Sequence, residues 1–310
     1  EEGNITLGLM LHHYFGDGWS SQVLRREIAA AYAALKEAKT PEFPPAPQYA
    51  DYALAQRQAL ATSLETRLSY WRGRLEKTPP LKLPYDHVRD TNRMGRLYFG
   101  IAEEVSARLL AMAQSRRVSI FVVYLAALHL LLARWCGTRH ASTAVNTADR
   151  VKPLFLNIVG YLIASLPITS EIDEDSDLGG FLSALARNFY DAYGHRDLSY
   201  DLYDRVCEPP RPFCTTLFNF IPLQEKLSAV KSQSAAAPPA GILAGPDIQR
   251  VRVHREIYFC LVEMPRGLVG KVYYNLDFFR QETFERFIAE FKNILEKMAK
   301  GAETRLGEIG

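Results

Sequence analysis

Residues 11–21 read Leu-His-His-Tyr-Phe-Gly-Asp-Gly-Trp-Ser-Ser. Two adjacent imidazoles, His12 and His13, stand just ahead of a carboxylate, Asp17, and a glycine, Gly18. Imidazole changes charge near neutral pH and is the commonest general base. Gly18 permits a tight turn and lets backbone N–H groups come close to a ligand. A helix starting near Ser20 would turn its positive end to the same place. A base, an oxyanion donor and a turn would then be gathered in one seam. The other reading is a strand-turn-helix junction with Asp17 close to a helix cap. On HxxxDG spacing alone the two readings stand level.

The elements that must position these residues follow from hydrophobic period. Residues 4–14 are an apolar run that predicts a buried strand. Successive strand side chains point to opposite faces, so His12 and His13 cannot share one cavity. One is expected to be packed and hydrogen-bonded, the other available. Residues 20–38 carry Val23, Leu24, Ile28, Ala31, Tyr32 and Leu35 at helical spacing, the apolar face of an amphipathic helix. The proline-rich 40–48 is expected to be extended. Residues 49–77 read as one or two helices with Tyr52, Leu60, Leu64, Leu68 and Trp71 on one side.

A linker is expected at 78–95, then a strand at 96–102 and helices at 104–116 and 118–136. The last is apolar nearly all round, which predicts a buried central helix. Further strands are predicted at 140–147, 162–169, 213–222, 257–264 and 268–276, and further helices at 177–193 and 281–299. The Ala/Pro/Gly-rich stretch 232–247 is expected to be a mobile loop. Alternating strands and helices indicate an α/β protein. The expected division is a first lobe at 1–77, the linker 78–95 and a second lobe at 96–310.

The chain has 310 residues, 48% hydrophobic and 23% charged, with a net charge of +2. That composition is globular and long enough for two cores. The charge gives no electrostatic case for nucleic acid or an anionic membrane. The doublets Arg25-Arg26 and Arg116-Arg117 read as solvated helix faces. Cys136, Cys207, Cys214 and Cys260 lack C-x-x-C spacing and are expected to be free thiols in a reducing, cytoplasmic compartment. The longest apolar run is too short to span a bilayer.

The stretch HHYFGDGWSSQVL resembles the HHxxxDG-W-S signature of condensation domains of nonribosomal peptide synthetases, in the chloramphenicol-acetyltransferase-like superfamily. Other stretches resemble that family's segments, in the family's order. YADYALAQRQAL (49–60) is similar to Y-x-D-Y-A-x-W-Q-R, and YWRGRL (70–75) to W-x-x-x-L. LKLPYDHVR (81–89) is similar to L-P-x-D-x-x-R, and TAVNTADR (143–150) to V-G-x-P-V-A-N-R. IVGYLIASLPI (158–168) is similar to I-G-x-F-V-N-T-L-P-L. HRDLSYD (195–201) is similar to H-Q-D-x-P-F-E, and FCTTLFNF (213–220) to P-L-F-Q-V-M-F-N. Trp19 lies between Gly18 and Ser20, the condensation order rather than the epimerisation order. Neither the D-x-x-x-x-D of heterocyclisation domains nor the D-F-G-W-G of BAHD acyltransferases is present. The departures are Ala55 and Ala59 at tryptophan positions, Ala164 for asparagine, Thr169 for arginine and Tyr258 for aspartate. The family motifs that precede HHxxxDG are absent, so the first of two acetyltransferase-like lobes is expected to be incomplete.

The resemblance implies roles for named residues. His13 faces a reaction channel between the lobes and His12 is structural. Asp17 pairs with Arg150; broken from one side, such a buried pair costs roughly 3–5 kcal/mol. The Gly18 N–H is an oxyanion donor or Gly18 is simply a turn glycine. Trp19 and Asn219 are assigned to the substrate channel, with wall packing as the alternative for Asn219. Ser20 is expected to cap the helix rather than act as nucleophile. His195 and Asp197 are expected to be structural, and His129 a satisfied core histidine. His87, His140 and His254 show no partner spacing, and no metal set emerges.

Condensation joins a donor acyl thioester to an acceptor amine. Phosphopantetheine arms supplied by donor and acceptor peptidyl carrier proteins hold both, and the domain itself is expected to bind no cofactor. Adjacent synthetase domains are expected partners. An α-amino group, with a pKa of about 7.7–8.0, is partly neutral at pH 7. The base therefore matters after attack, when the cationic amine must lose a proton, whereas a hydroxyl acceptor needs it earlier. A stand-alone acyltransferase with a soluble acceptor and a non-catalytic recruiting domain are the alternatives.

Overall fold

The computed structural model describes residues 7–43, 45–91, 93–150, 152–196, 198, 202–203, 206, 214–222, 256–264 and 267–309. The expected loop 232–247, with Asp197, Cys207 and His254, lies outside the described residues. The chain groups into two compact units. One comprises Glu1–Tyr70, Asn146–Ser165 and Arg196–Ser199, the other Trp71–Val145, Leu166–His195 and Tyr200–Gly310. The expected first lobe, 1–77, thus has later segments of the chain grouped with most of it.

The larger unit is built on a mixed sheet with strand order β1-β6-β5-β4-β2-β3. These strands are β1 (Met94–Ile101), β2 (His140–Ala148), β3 (Ile163–Glu171), β4 (Thr216–Ile221), β5 (Ile257–Met264) and β6 (Gly267–Asn275). The pairs β1–β6 and β5–β6 are antiparallel, whereas β4 runs parallel to β5 and to β2. Period-two burial is clearest in β6, where Leu268, Gly270, Val272 and Tyr274 are buried and their neighbours half-buried. The buried face meets the helices through aromatic contacts: Tyr274 stacks on Phe284 at 4.2 Å and Phe259 meets Phe291 edge-on at 4.7 Å.

In chain order the helices are α1 (Gly18–Lys36), α2 (Tyr49–Leu75), α3 (Glu103–Ser115), α4 (Ile120–Trp135), α5 (Leu178–Gly194), α6 (Gln281–Met298) and the short α7 (Leu306–Ile309). As its all-round apolar sequence predicts, α4 is buried from Val122 to Ala133. His129 sits inside it, with Nδ1 2.7 Å from Ser170 Oγ and Nε2 2.9 Å from Thr143 Oγ1. Burial pushes its pKa down to about 3, so the ring is neutral. Cys136 and Cys260 are free thiols. Among the described residues no single helix is long and apolar enough to cross a membrane.

The smaller unit holds α1, most of α2 and two 3₁₀ turns, His13–Phe15 and Pro153–Asn157. One expectation fails here, and one apolar face is left largely open. The strand predicted at 4–14 does not form over its described part. Residues 7–12 are irregular and exposed, and a 3₁₀ turn closed by Phe15 N–H to His12 O at 2.9 Å follows. A strand needs a ladder partner for its amides, and 7–12 pair with no strand among the described residues. In α1 the apolar stripe is covered only at its start: Val23 is buried, whereas Tyr32 is 68% and Leu35 66% exposed. Sequence periodicity records which face is apolar, not whether anything covers it. The stretch 49–75 is one continuous helix, and Tyr52, Trp71 and Leu75 are its buried positions.

Candidate active site

Helix α1 starts at Gly18, and Asp17 is its N-cap in extended backbone, φ −108° and ψ −175°. Its Oδ1 accepts from the Ser20 N–H at 2.8 Å, satisfying one of the helix's unpaired amides. Ser20, expected to be the cap, instead lies inside the helix, and its buried hydroxyl works as a hub. It accepts from the Gly160 N–H at 3.0 Å and from Arg150 Nη2 at 3.2 Å. Its own hydrogen faces Asp17 Oδ1 and Gly160 O, each at 2.8 Å.

Arg150 Nη2 reaches Asp17 Oδ1 at 2.9 Å and Oδ2 at 3.1 Å, and Nη1 donates to the carbonyls of Phe155 and Ile158, both at 2.9 Å. The side chains of Arg150 and Asp17 are 3% and 2% exposed. A buried charge pair is tolerated when its remaining donors and lone pairs are also used. Here Asp17 Oδ2 takes a further bond from the Leu162 N–H at 3.2 Å, while Arg150 Nε has no partner among the described residues. The structure thus brings together Asp17 and Arg150, as the motif resemblance implies, and adds Ser20, Gly160 and Leu162.

Gly160 is fixed by sterics as well as bonding, because a Cβ there would run into the Tyr49 ring. Gly18 differs. It has no positive φ, a Cβ on it would meet nothing within 4 Å, and the residue is exposed. The fold of the turn therefore does not demand glycine at 18. Trp19 is half-buried, and its indole N–H is already donated to Leu156 O at 2.7 Å, with the Arg150 guanidinium 5.9 Å from its ring centre.

His12 and His13 are both exposed, in place of the alternating in-and-out arrangement a strand would impose. His12 Nδ1 accepts from the Tyr14 N–H at 3.3 Å. His13 Nδ1 lies 2.8 Å from the Gly16 carbonyl, and its ring meets Tyr161 edge-on at 5.2 Å. A carbonyl can only accept, so Nδ1 carries the hydrogen and Nε2 keeps its lone pair. Nε2 has no hydrogen-bond partner among the described residues. The turn it belongs to thus selects the Nδ1–H tautomer of a neutral His13 ring.

A second polar cluster is one that residue-by-residue reading of the sequence does not single out. Asp149 Oδ1 takes Arg196 Nη2 at 2.8 Å and Nε at 3.1 Å, and Oδ2 takes the Tyr52 hydroxyl at 3.0 Å. Three separate motif segments, 49–60, 143–150 and 195–201, meet at this one carboxylate, and their joint presence was the available signal. In the larger unit, Asn219 Nδ2 donates to the Tyr258 hydroxyl at 3.2 Å. His195 ends α5, and its carbonyl accepts the Trp71 indole N–H at 2.9 Å.

The mixed-sheet α/β fold is of the chloramphenicol-acetyltransferase-like kind, and in this chain it carries a histidine-led turn clamped by a buried ion pair. More narrowly, the chain belongs to the condensation domain family, whose model matches residues 1–310. It is 28% identical over 317 residues to chondramide synthase cmdD of Chondromyces crocatus, covering 99% of this chain and 8% of that protein. It is 27% identical over 301 residues to cyclosporin synthetase simA of Tolypocladium inflatum, covering 94% of this chain and 2% of that protein. The chain thus spans under a tenth of the length of these relatives. In fold it is similar to the SgcC5 protein of Streptomyces globisporus, with a TM-score of 0.77 at 19% identity over 95% of this chain and 69% of that one.

Proposed function

We propose that this chain catalyses amide-bond formation between a carrier-bound acyl or peptidyl thioester and an acceptor amine, within nonribosomal peptide synthesis. The donor and acceptor are presented on phosphopantetheine arms by peptidyl carrier proteins, and neighbouring synthetase domains supply both. The observation that carries this reading is the clamp on the HHxxxDG turn. Asp17, Ser20, Arg150 and Gly160 use buried bonds to fix the start of α1. The turn they fix presents an exposed imidazole whose Nε2 has no partner among the described residues.

In this reading Asp17 is a brace and not a proton carrier, since both of its oxygens are engaged. His13 Nε2 accepts the proton that the cationic amine loses after attack on the thioester carbonyl; collapse of the intermediate then breaks the C–S bond, and the departing thiolate of the donor arm takes up that proton to leave as the thiol. The carbonyl oxygen gains charge in that attack, and the Gly18 N–H at the α1 N-terminus, which has no partner among the described residues, suits it. The open space around Gly18 allows such an approach. Holding two tethered reactants in line supplies much of the rate.

The test is a reaction of the intact protein with a carrier-bound donor and a panel of amine acceptors, read by mass spectrometry of the product. An amide linked to the acceptor, dependent on the protein, is the expected result. Carrier binding with no amide from any acceptor overturns the reading.

A further inference from the structure

The face of the sheet opposite α4 and α6 has a chemistry of its own. Strand register places Arg96, Tyr273 and Tyr258 side by side on one rung across β1, β6 and β5. The next rung on the same face runs Tyr98, Lys271, Cys260 and Asn219, across β1, β6, β5 and β4. Paired residues share a face, so these side chains form one patch. Tyr98 is exposed, Arg96, Lys271, Tyr273, Tyr258 and Asn219 are half-buried and Cys260 is buried, whereas Val272, Tyr274, Phe259 and Phe218 on the opposite face are buried.

The two cations lie along tyrosine rings: Lys271 Nζ is 4.6 Å from the Tyr273 centroid and the Arg96 guanidinium 5.3 Å from that of Tyr98. The Tyr258 hydroxyl takes the Asn219 amide, and its ring sits 5.9 Å from Tyr273. Within the register of β1, β6, β5 and β4 this face carries no aspartate or glutamate; Glu256, just before β5 on the same face, is taken up by the Tyr85 hydroxyl at 2.7 Å and lies two rungs from Lys271. Lys271 has no ion pair and the Tyr273 hydroxyl no hydrogen bond among the described residues. A half-buried ammonium beside a phenol hydroxyl, with no ion-pair partner among the described residues, is complementary to an anionic group.

We infer that this face selects a substrate bearing a carboxylate, an acidic aminoacyl group that seats against Lys271 and the Tyr273 hydroxyl. The inference rests on the condensation reading and names its substrate class. One charge-assisted contact corresponds to about a tenfold to hundredfold preference over a neutral isostere.

The experiment measures binding apart from turnover, in the intact protein. Pantetheine amides of N-acetyl-aspartate and N-acetyl-glutamate stand in for the donor, and those of free-amine aspartate and glutamate for the acceptor. Each is compared by calorimetry with its asparagine or glutamine counterpart. The expected result is a preference of at least about tenfold for the acidic probes in one arm, which also tells donor from acceptor. Lys271→Gln abolishes the preference and Lys271→Glu reverses it, with binding of neutral probes held within about twofold. Equal binding of acidic and neutral probes in both arms, or a preference that Lys271→Glu leaves in place, overturns the inference. An acidic preference without amide formation from the matching thioesters overturns the condensation reading alone.

Discussion

Asp17 and Arg150 are 133 positions apart in the chain and form a two-pronged, buried ion pair at 2.9 and 3.1 Å. The pair joins the cap of α1 to the segment that follows β2, and it passes through Ser20 and Gly160 on the way. Removing one charge strands the other in a site closed to water. Asp17→Ala and Arg150→Ala are each expected to cost roughly 3–5 kcal/mol in urea unfolding. Ser20→Ala, which leaves hydrogen-bonding groups unpaired but no lone charge, is expected to cost roughly 1–3 kcal/mol. An Asp17→Ala loss below that of Ser20→Ala would contradict the brace.

The two glycines of the clamp region answer differently to a methyl group. Gly160→Ala is expected to destabilise by roughly 1–3 kcal/mol, because the Tyr49 ring occupies the Cβ position. Gly18→Ala is expected to leave stability within about 0.5 kcal/mol, since no atom lies within 4 Å of its Cβ position. If the space at Gly18 receives the thioester oxygen, the same change slows transfer at least about tenfold. Paired melting and transfer assays check this, and equal destabilisation by the two substitutions would sink it.

His129 makes stability depend on pH. Its folded pKa is depressed from 6.5 to about 3 by burial, so on acidification the unfolded chain takes up the proton first. The stability it permits is complete above its ordinary pKa and is lost as pH falls toward the folded one. The expected loss is about 1.4 kcal/mol per pH unit in that window. His129→Gln removes this term while keeping an amide for Thr143 or Ser170. Unfolding free energies of both proteins should therefore converge from pH 7 to pH 4; a constant difference would show that His129 is not the acid-sensitive group.

The larger unit was legible in the sequence because its elements are buried on at least one face. The all-apolar α4 and the alternating β6 carry their burial in their residue types. The predicted strand at 4–14 failed because an apolar run states a preference for burial and not the presence of a neighbouring strand. For the same reason the apolar stripe on α1 is real in the sequence, while its exposure beyond Val23 is not something the sequence states. Within the site, Asp17 and Arg150 were legible through motif order. Ser20, Gly160 and the Asp149–Arg196–Tyr52 cluster were not, because their partners are backbone groups or lie far along the chain. Pleat alternation would split His12 from His13 by facing, whereas what separates them here is bonding: His13 Nδ1 is held by the Gly16 carbonyl.

The most direct test of the account is single-turnover transfer from one carrier-bound donor to matched amine and alcohol acceptors, by wild type, His13→Ala and His12→Ala. Wild type is expected to form the amide. His13→Ala is expected to lose about 10²–10⁴-fold with the alcohol, which needs its proton removed during attack, and distinctly less with the amine. His12→Ala is expected to stay close to wild type with both. Equal losses for the two acceptors in His13→Ala, or no transfer by wild type to either, would contradict the account.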